Sequence, residues 1–376
     1  MAISKIDSDG IVSGGITADS LNIGQIGGRR NLIINGAMAV DQRLNGSSEL
    51  KGSGSQYHTD RFTVFSQAAS KITAQQVSEA PAGFKNSLQL TVTNAVTLGA
   101  TDQYMLQQRI EGQNVAHLAF GTASAETVTL SFYVRSSVTG THSGVLVNGS
   151  ENRNYPFTYT ISAADTWERI SVTIVGDTSG TWVTTNAVGM WVKWNLGTGS
   201  TYLGTAGAWS GSSYLSGATG SVQLIETGSA TFYITGVQLE VGSVATPFEH
   251  RSYGEELALC QRYFQRYGQG SSSNRHFLAT VAFSSSTDSA FIINLPTSMR
   301  AVPTLSFSSL QVLRGGVGYY SGTGTAINSS TPNEGVPINV LRFTQTTGSS
   351  GASQGDCGHI ACAASTSSRL DLDAEL

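Results

Sequence analysis

The chain has 376 residues, of which 39% are hydrophobic and only 12% charged, with a formal net charge of -4. That length suggests two or three domains, and the apolar content is enough to build their cores. No Lys/Arg cluster offers the concentrated charge that binding duplex nucleic acid requires, and no run of about 18 apolar residues could insert into a membrane.

Residues 1–29 mix Ile, Ser, Gly and Asp without a helical period, and MAISKIDSDG lacks the charged-then-apolar pattern of a signal peptide. They read either as a flexible end or as a docking segment. From residue 30 to 250 the signal is β. Leu88, Leu90 and Val92 alternate, as do Val128, Leu130, Phe132 and Val134, then Ile170, Val172 and Ile174, and Met190, Val192, Trp194 and Leu196. Several half-buried strands require sheet-on-sheet packing. Asn148-Gly149 predicts a tight hairpin, because both residues tolerate positive φ.

Val237, Leu239 and Val241 continue the alternation until Pro247. Ser252 and Glu255 then stand at capping-box spacing, so a helix should begin near Tyr253. Glu255 and Glu256 at its start, and Arg262 and Arg266 near its end, complement the peptide dipoles. Leu257, Cys260, Phe264 and Tyr267 recur as one apolar stripe, which either packs on the protein's own sheet or forms an oligomerisation seam with copies of itself. Beyond the linker-like GQGSSS come short β runs: FLATVAF, AFIINLP, TLSFSS, INVLRF and HIACAA. Pro296 and Pro303 confine MRAVP to an edge or turn. The expected fold is mainly β: a jelly-roll sandwich over 30–250, one short connecting helix over 251–268, and a smaller C-terminal β domain over 269–376.

Catalytic motifs are absent: there is no phosphate loop, no GxGxxG opening a helix and no GxSxG elbow. Asp102 with Glu111, or Asp177 with Glu226, could serve glycoside cleavage only if folding joined them. The chain therefore reads as a non-enzyme. His58, His117, His142, His250, His276 and His359 show no paired metal spacing. Cys260, Cys357 and Cys362 make no disulfide framework. On a strand, Cys357 and His359 would share one face and Cys362 the other, so no metal or other cofactor is expected there. Aromatic density peaks between Trp182 and Tyr214 in a Gly/Ser/Thr background. Trp194 alternates with core residues, whereas Trp191 shares the opposite face with Lys193 and Asn195. Flat rings in a polar rim suit the C–H faces of sugars, which makes Trp182, Trp191, Trp209 and Tyr214 the candidate saccharide-binding residues. Packing over the end of the sandwich, or against a neighbouring subunit, is the other reading.

RNLIINGAMAVDQR from Arg30 to Arg43, Asp60-Arg61-Phe62, and FYITGVQLEVG with PFEHRSYGEELALCQRYFQR from Phe232 to Arg266 resemble stretches of tail fibre and related virion proteins of tailed bacteriophages. There they form the opening strand, the strand after it, and the closing strand with its helix, in a jelly-roll domain similar to carbohydrate-binding modules. Trp167 before ERISVTI and the ending Asp373-Ala374-Glu375-Leu376 are similar too. The resemblance implies a jelly-roll sandwich and a homotrimer with the helix near its three-fold axis. It also implies docking on another virion protein through residues 1–29, and a host surface glycan as partner. Such a protein is made in the host cytoplasm and exposed on the virion tail. A capsid- or baseplate-attached element without a receptor is the alternative within this resemblance. A polysaccharide-degrading enzyme of that family would show a long β-helical period, which is missing. Jelly rolls of this kind often hold calcium through acidic residues in the first and last strands, but Asn35 to Met38 and Tyr233 to Gly236 supply no carboxylate.

Overall fold

The computed structural model describes residues 29–268, 276–283, 288–308, 310–314, 317–320, 325–329, 340–346, 354–362 and 368–376. Of the expected docking segment only Arg29 is among them, and residues 269–273 of the linker-like stretch lie outside them as well. The chain divides into two compact units between Ser252 and Tyr253.

In the first unit the strands are β1 (Glu49–Leu50), β2 (Gly54–Tyr57), β3 (Phe62–Ser66), β4 (Ile72–Val77), β5 (Ser87–Val92), β6 (Gln103–Glu111), β7 (Val128–Ser136) and β8 (Gly140–Asn148). They continue with β9 (Asn154–Ile161), β10 (Glu168–Ile174), β11 (Val188–Thr198), β12 (Leu203–Gly204), β13 (Gly217–Ala218) and β14 (Thr231–Val241), and a one-turn helix, α1 (Gly112–Val115), follows β6. One six-stranded sheet runs β1-β4-β5-β14-β7-β10 and the other β2-β3-β6-β11-β8-β9. Alternating residues from both fill one core, where Phe132 of β7 meets Trp194 of β11 edge-on at 5.8 Å. This is a jelly-roll β-sandwich closed by side chains packed between its layers.

The stretch from Arg30 to Arg43, expected from its resemblance as an opening strand, forms none. Asn35 and Met38 take positive φ, 61° and 53°, which no strand ladder accommodates. Side chains satisfy its backbone instead. Asn31 accepts from the amides of Ile33 (2.9 Å) and Leu239 (3.1 Å) and donates to the Val237 carbonyl (3.0 Å). Asn35 donates to the carbonyls of Val40 (2.8 Å) and Asp60 (2.9 Å). Gln108, facing inward from β6, bonds both the amide and the carbonyl of Ile34, at 3.0 and 2.9 Å. Gly36 lies so close to β14 that a Cβ there would sit 2.1 Å from the Val237 carbonyl oxygen. Beyond β14 the chain returns to clamp the same segment. Glu249 accepts from the amides of Arg30 (3.1 Å) and Asn31 (2.8 Å), while Arg251 donates to the carbonyls of Asn31 (2.5 Å) and Ile33 (3.1 Å).

The second unit starts with α2 (Tyr253–Gln261), which begins where the sequence places it, and continues with β15 (Phe264–Tyr267), β16 (His276–Phe283), β17 (Asp288–Asn294), β18 (Thr304–Ser308) and β19 (Leu310–Arg314). Then come β20 (Val317–Tyr320), β21 (Thr325–Ser329), β22 (Val340–Thr346), β23 (Cys357–Cys362) and β24 (Arg369–Asp373). They form a three-stranded sheet, β15-β24-β18, and a seven-stranded one, β20-β19-β23-β16-β17-β22-β21. Here the helical stripe needs correction. Leu257 and Cys260 lie on α2, but Phe264 and Tyr267 lie on β15, opposite Asp373 and Leu370 of β24. A turn closed by the Tyr263 amide on the Cys260 carbonyl (2.9 Å) ends the helix and hands the chain to the sheet. Arg266 accordingly serves no helix end: it forms a bidentate pair with Asp371, both contacts at 2.7 Å. On β23 Cys357 is exposed and Cys362 is buried, and burial, aided by Asp371, pushes the Cys362 thiol up to about 11.

Candidate functional site

The hairpin joining β8 to β9 organises the aromatic residues. Its turn is longer than Asn148-Gly149 alone predicts, and the left-handed residue is Glu151, with φ 54°. Asn148 acts through its side chain, accepting from the amides of Asn152 (2.9 Å) and Arg153 (3.0 Å). Gly149 is needed for close approach: a Cβ there would lie 2.0 Å from the Val188 carbonyl oxygen.

On one side of this turn Trp182 and Trp209 meet at 5.6 Å and nearly perpendicular, with Phe120 4.8 Å from Trp182 and Tyr155 5.3 Å from Trp209. All are packed on the sandwich core. Both indole N–H groups are engaged, Trp209 with the Val175 carbonyl (2.7 Å) and Trp182 with Asp177 (3.4 Å). Asp177 in turn receives Arg153 in a bidentate pair at 2.8 and 2.6 Å. Edge-to-face rings cover one another, so these two tryptophans close the end of the sandwich.

Trp191 and Tyr214 stand on the other side, at the outer face of the second sheet. The Trp191 ring lies between two cations, Arg109 at 4.4 Å and Lys193 at 5.1 Å. Lys193 is buried and pairs with Glu151 at 2.5 Å, and desolvation holds its pKa below the ordinary lysine range. Over this face runs a Gly/Ser-rich strap, residues 199–223. It is anchored by Leu215 against Trp191, Val145 and Val147, and by Ser143, which bonds the Ser221 hydroxyl (2.8 Å) and the Ala218 amide (3.1 Å). Next to the anchor, Tyr214 is 54% exposed with φ 61°. Its amide donates to the Glu151 carbonyl (2.9 Å), and its carbonyl accepts from Gln103 (3.2 Å).

The four candidates therefore form two groups around one turn, and Tyr214 is the one whose ring stands in solvent. Sequence reasoning passed over Glu151, Arg153, Gln103 and Leu215, because nothing local marks them: Glu151 and Tyr214 are 63 positions apart and meet only in the fold. The carboxylates considered for glycoside cleavage are used locally. Asp177 holds Arg153, Asp102 accepts the Gly99 amide (2.9 Å), Glu226 faces the Leu98 amide (3.5 Å), and Glu111 is buried at the start of α1. Among the described residues no cluster of His, Cys, Asp or Glu could hold a metal ion.

The chain matches no known protein-family profile. It matches no curated protein sequence. Solved structures similar to it include the enzymatically active domain of tailspike protein 4 from bacteriophage CBA120, at 13% identity and TM-score 0.29 over 56% of this chain and 21% of that one. A family 11 carbohydrate-binding module from Clostridium thermocellum, solved with a mixed-linked tetrasaccharide, matches at 13% identity and TM-score 0.27 over 52% of this chain and all of its own. The module TmCBM61, solved with galactotriose, matches at 10% identity and TM-score 0.27 over 57% and 99%. Likenesses this distant say nothing about ligand or assembly.

Proposed function

We propose that the chain is a structural and host-adhesive virion protein of the bacteriophage tail-fibre type, trimeric on the particle and displaying its sandwich to a host surface glycan. One observation carries the reading: the separate stretches that resemble phage virion proteins come together in space. Asn31 and Gly36 lie on Val237 of β14, Asn35 bonds the Asp60 carbonyl, and Glu249 and Arg251 clamp residues 30–33 from outside. A resemblance scattered by chance along a chain would not converge on one closure. Trimer contacts in this reading do not use Leu257, Cys260, Phe264 and Tyr267 as one helical face, since the last two belong to β15. Gold-labelled antibody on purified particles should decorate the tail, and native mass measurement should give three chains. Particles that lack the protein would sink the reading.

A further inference from the structure

Among the described non-glycine residues with positive φ, Tyr214 is the one aromatic. Asn35 and Asn45 are of the type that tolerates this region, and Met38 and Arg61 are fully buried, so packing holds them there. Tyr214 has neither excuse. The residue is more than half exposed, and among the described residues its hydroxyl has no partner and its ring no aromatic neighbour. A bulky side chain is thus held in a strained backbone conformation while more than half of the residue stays in solvent.

The strain is doubled and fixed from both sides. Tyr214 donates its amide to Glu151, itself left-handed at φ 54°, so two disfavoured residues face each other across one hydrogen bond. Gln103 holds the Tyr214 carbonyl, and Leu215, only 3% exposed, pins the next residue to the sheet. Strain that the surroundings hold in place at a largely exposed aromatic residue points to a working residue.

We infer that Tyr214 is presented as a stacking platform for a neutral saccharide, an inference that rests on the adhesive reading above and names its contact. A tyrosine ring offers an apolar face to sugar C–H groups and a hydroxyl to their polar edges. The residues just before it, Ser212 and Ser213, are exposed hydroxyls, and Gln103 brings an amide to its carbonyl. Glu151, whose carbonyl accepts the Tyr214 amide, pairs with Lys193, so an acidic glycan finds no free cation in that pair.

The test uses the full chain with Tyr214→Gly and Tyr214→Phe. Binding is read on an array of neutral bacterial oligosaccharides of defined structure, then by titration with the one captured best, and stability by thermal unfolding. Glycine adopts positive φ freely, so Tyr214→Gly should melt at the same temperature or higher while losing about tenfold or more in affinity. Tyr214→Phe keeps the ring and should bind within about threefold of the unaltered chain. The inference falls if Tyr214→Gly melts lower, if it binds as well as the parent, or if the parent captures no neutral oligosaccharide and instead binds an acidic one or a host protein. Absence of the protein from particles would fail the virion reading and leave the array result standing.

Discussion

The closure of the sandwich around Asn31, Gly36, Glu249 and Arg251 and the junction of Glu151 with Tyr214 are both irregular backbone, yet they are built on opposite terms. In the closure fitting residues stand at the awkward positions, and the one exception, Met38 at φ 53°, is wholly buried, so packing holds it. Asparagine takes the left-handed turn at 35, glycine takes the close approach at 36, and a buried amide and a half-buried carboxylate serve the backbone. In the junction the residue types contradict the conformation, and an aromatic ring is left in water. Local agreement marks what the fold needs, and held disagreement marks what the fold is used for.

The largest effect should come from one methyl group. Gly36→Ala places its Cβ against a carbonyl oxygen of β14 that cannot move, because the Val237 amide is bonded back to Gly36 at 2.9 Å. A loss of about 3 kcal/mol or more is expected, or no folding at all. Gly207→Ala, on the strap, is the matched control. Its φ is 89° but nothing lies within 4 Å, so only backbone strain of about 1–2 kcal/mol applies. Equal denaturant midpoints for the two variants would erase the distinction between closure and junction.

Next in size is Asp177→Asn, which tests whether the junction stands on a sound base. Asp177 is nearly inaccessible, and its loss as an anion leaves Arg153 without its bidentate partner and weakens the hold on Trp182. Arg153 keeps 20% of its side chain in solvent, so the cost should be about 2 kcal/mol, less than for a wholly buried pair. Tryptophan fluorescence should shift with it, because Trp182 and Trp209 lie in contact there. A variant that is unaltered in both would detach the aromatic end cap from the ion pair.

What could be read from the chain follows the same division. Alternation identified the strands that hold Leu88, Leu130, Phe132 and Trp194, because a strand with one buried face must repeat every second residue. The resemblance, not alternation, put an opening strand at Arg30 to Arg43, and there Leu32, Ile33 and Ile34 are buried as a strand's residues would be but Asn31 and Gln108 do the bonding. Phe264 and Tyr267 misled for another reason: their spacing from Cys260 continues a helical stripe, and only pairing with β24, about a hundred positions on, makes them a strand. The candidate ring of Tyr214 was visible as an aromatic in a loop. Its strain was not, since Glu151, Gln103 and Leu215 come from three separate elements.

The smallest of the three effects, Glu249→Gln, asks whether the closure is held by charge or by shape. Burial raises the cost of ionising Glu249, but the amides of Asn31 and Arg30 and the guanidinium of Arg251 outweigh it and hold the carboxyl below its ordinary value of 4.5. With the folded value depressed, the unfolded chain binds more protons in that range, so stability rises with pH there. The contribution is fully present above 4.5 and is lost as the pH falls through the lower folded value. At neutral pH the variant should therefore be weaker by about 1 kcal/mol, the scale of a charge-assisted hydrogen bond over a neutral one. Buried Asp60, whose carboxyl desolvation pushes upward, works in the opposite sense but equally in both proteins, so it cancels in their difference. That difference should shrink as the pH drops below 4.5. A gap that stays constant with pH would mean that Glu249 serves as a shaped acceptor only, and that the closure, as at Gly36, is a matter of fit.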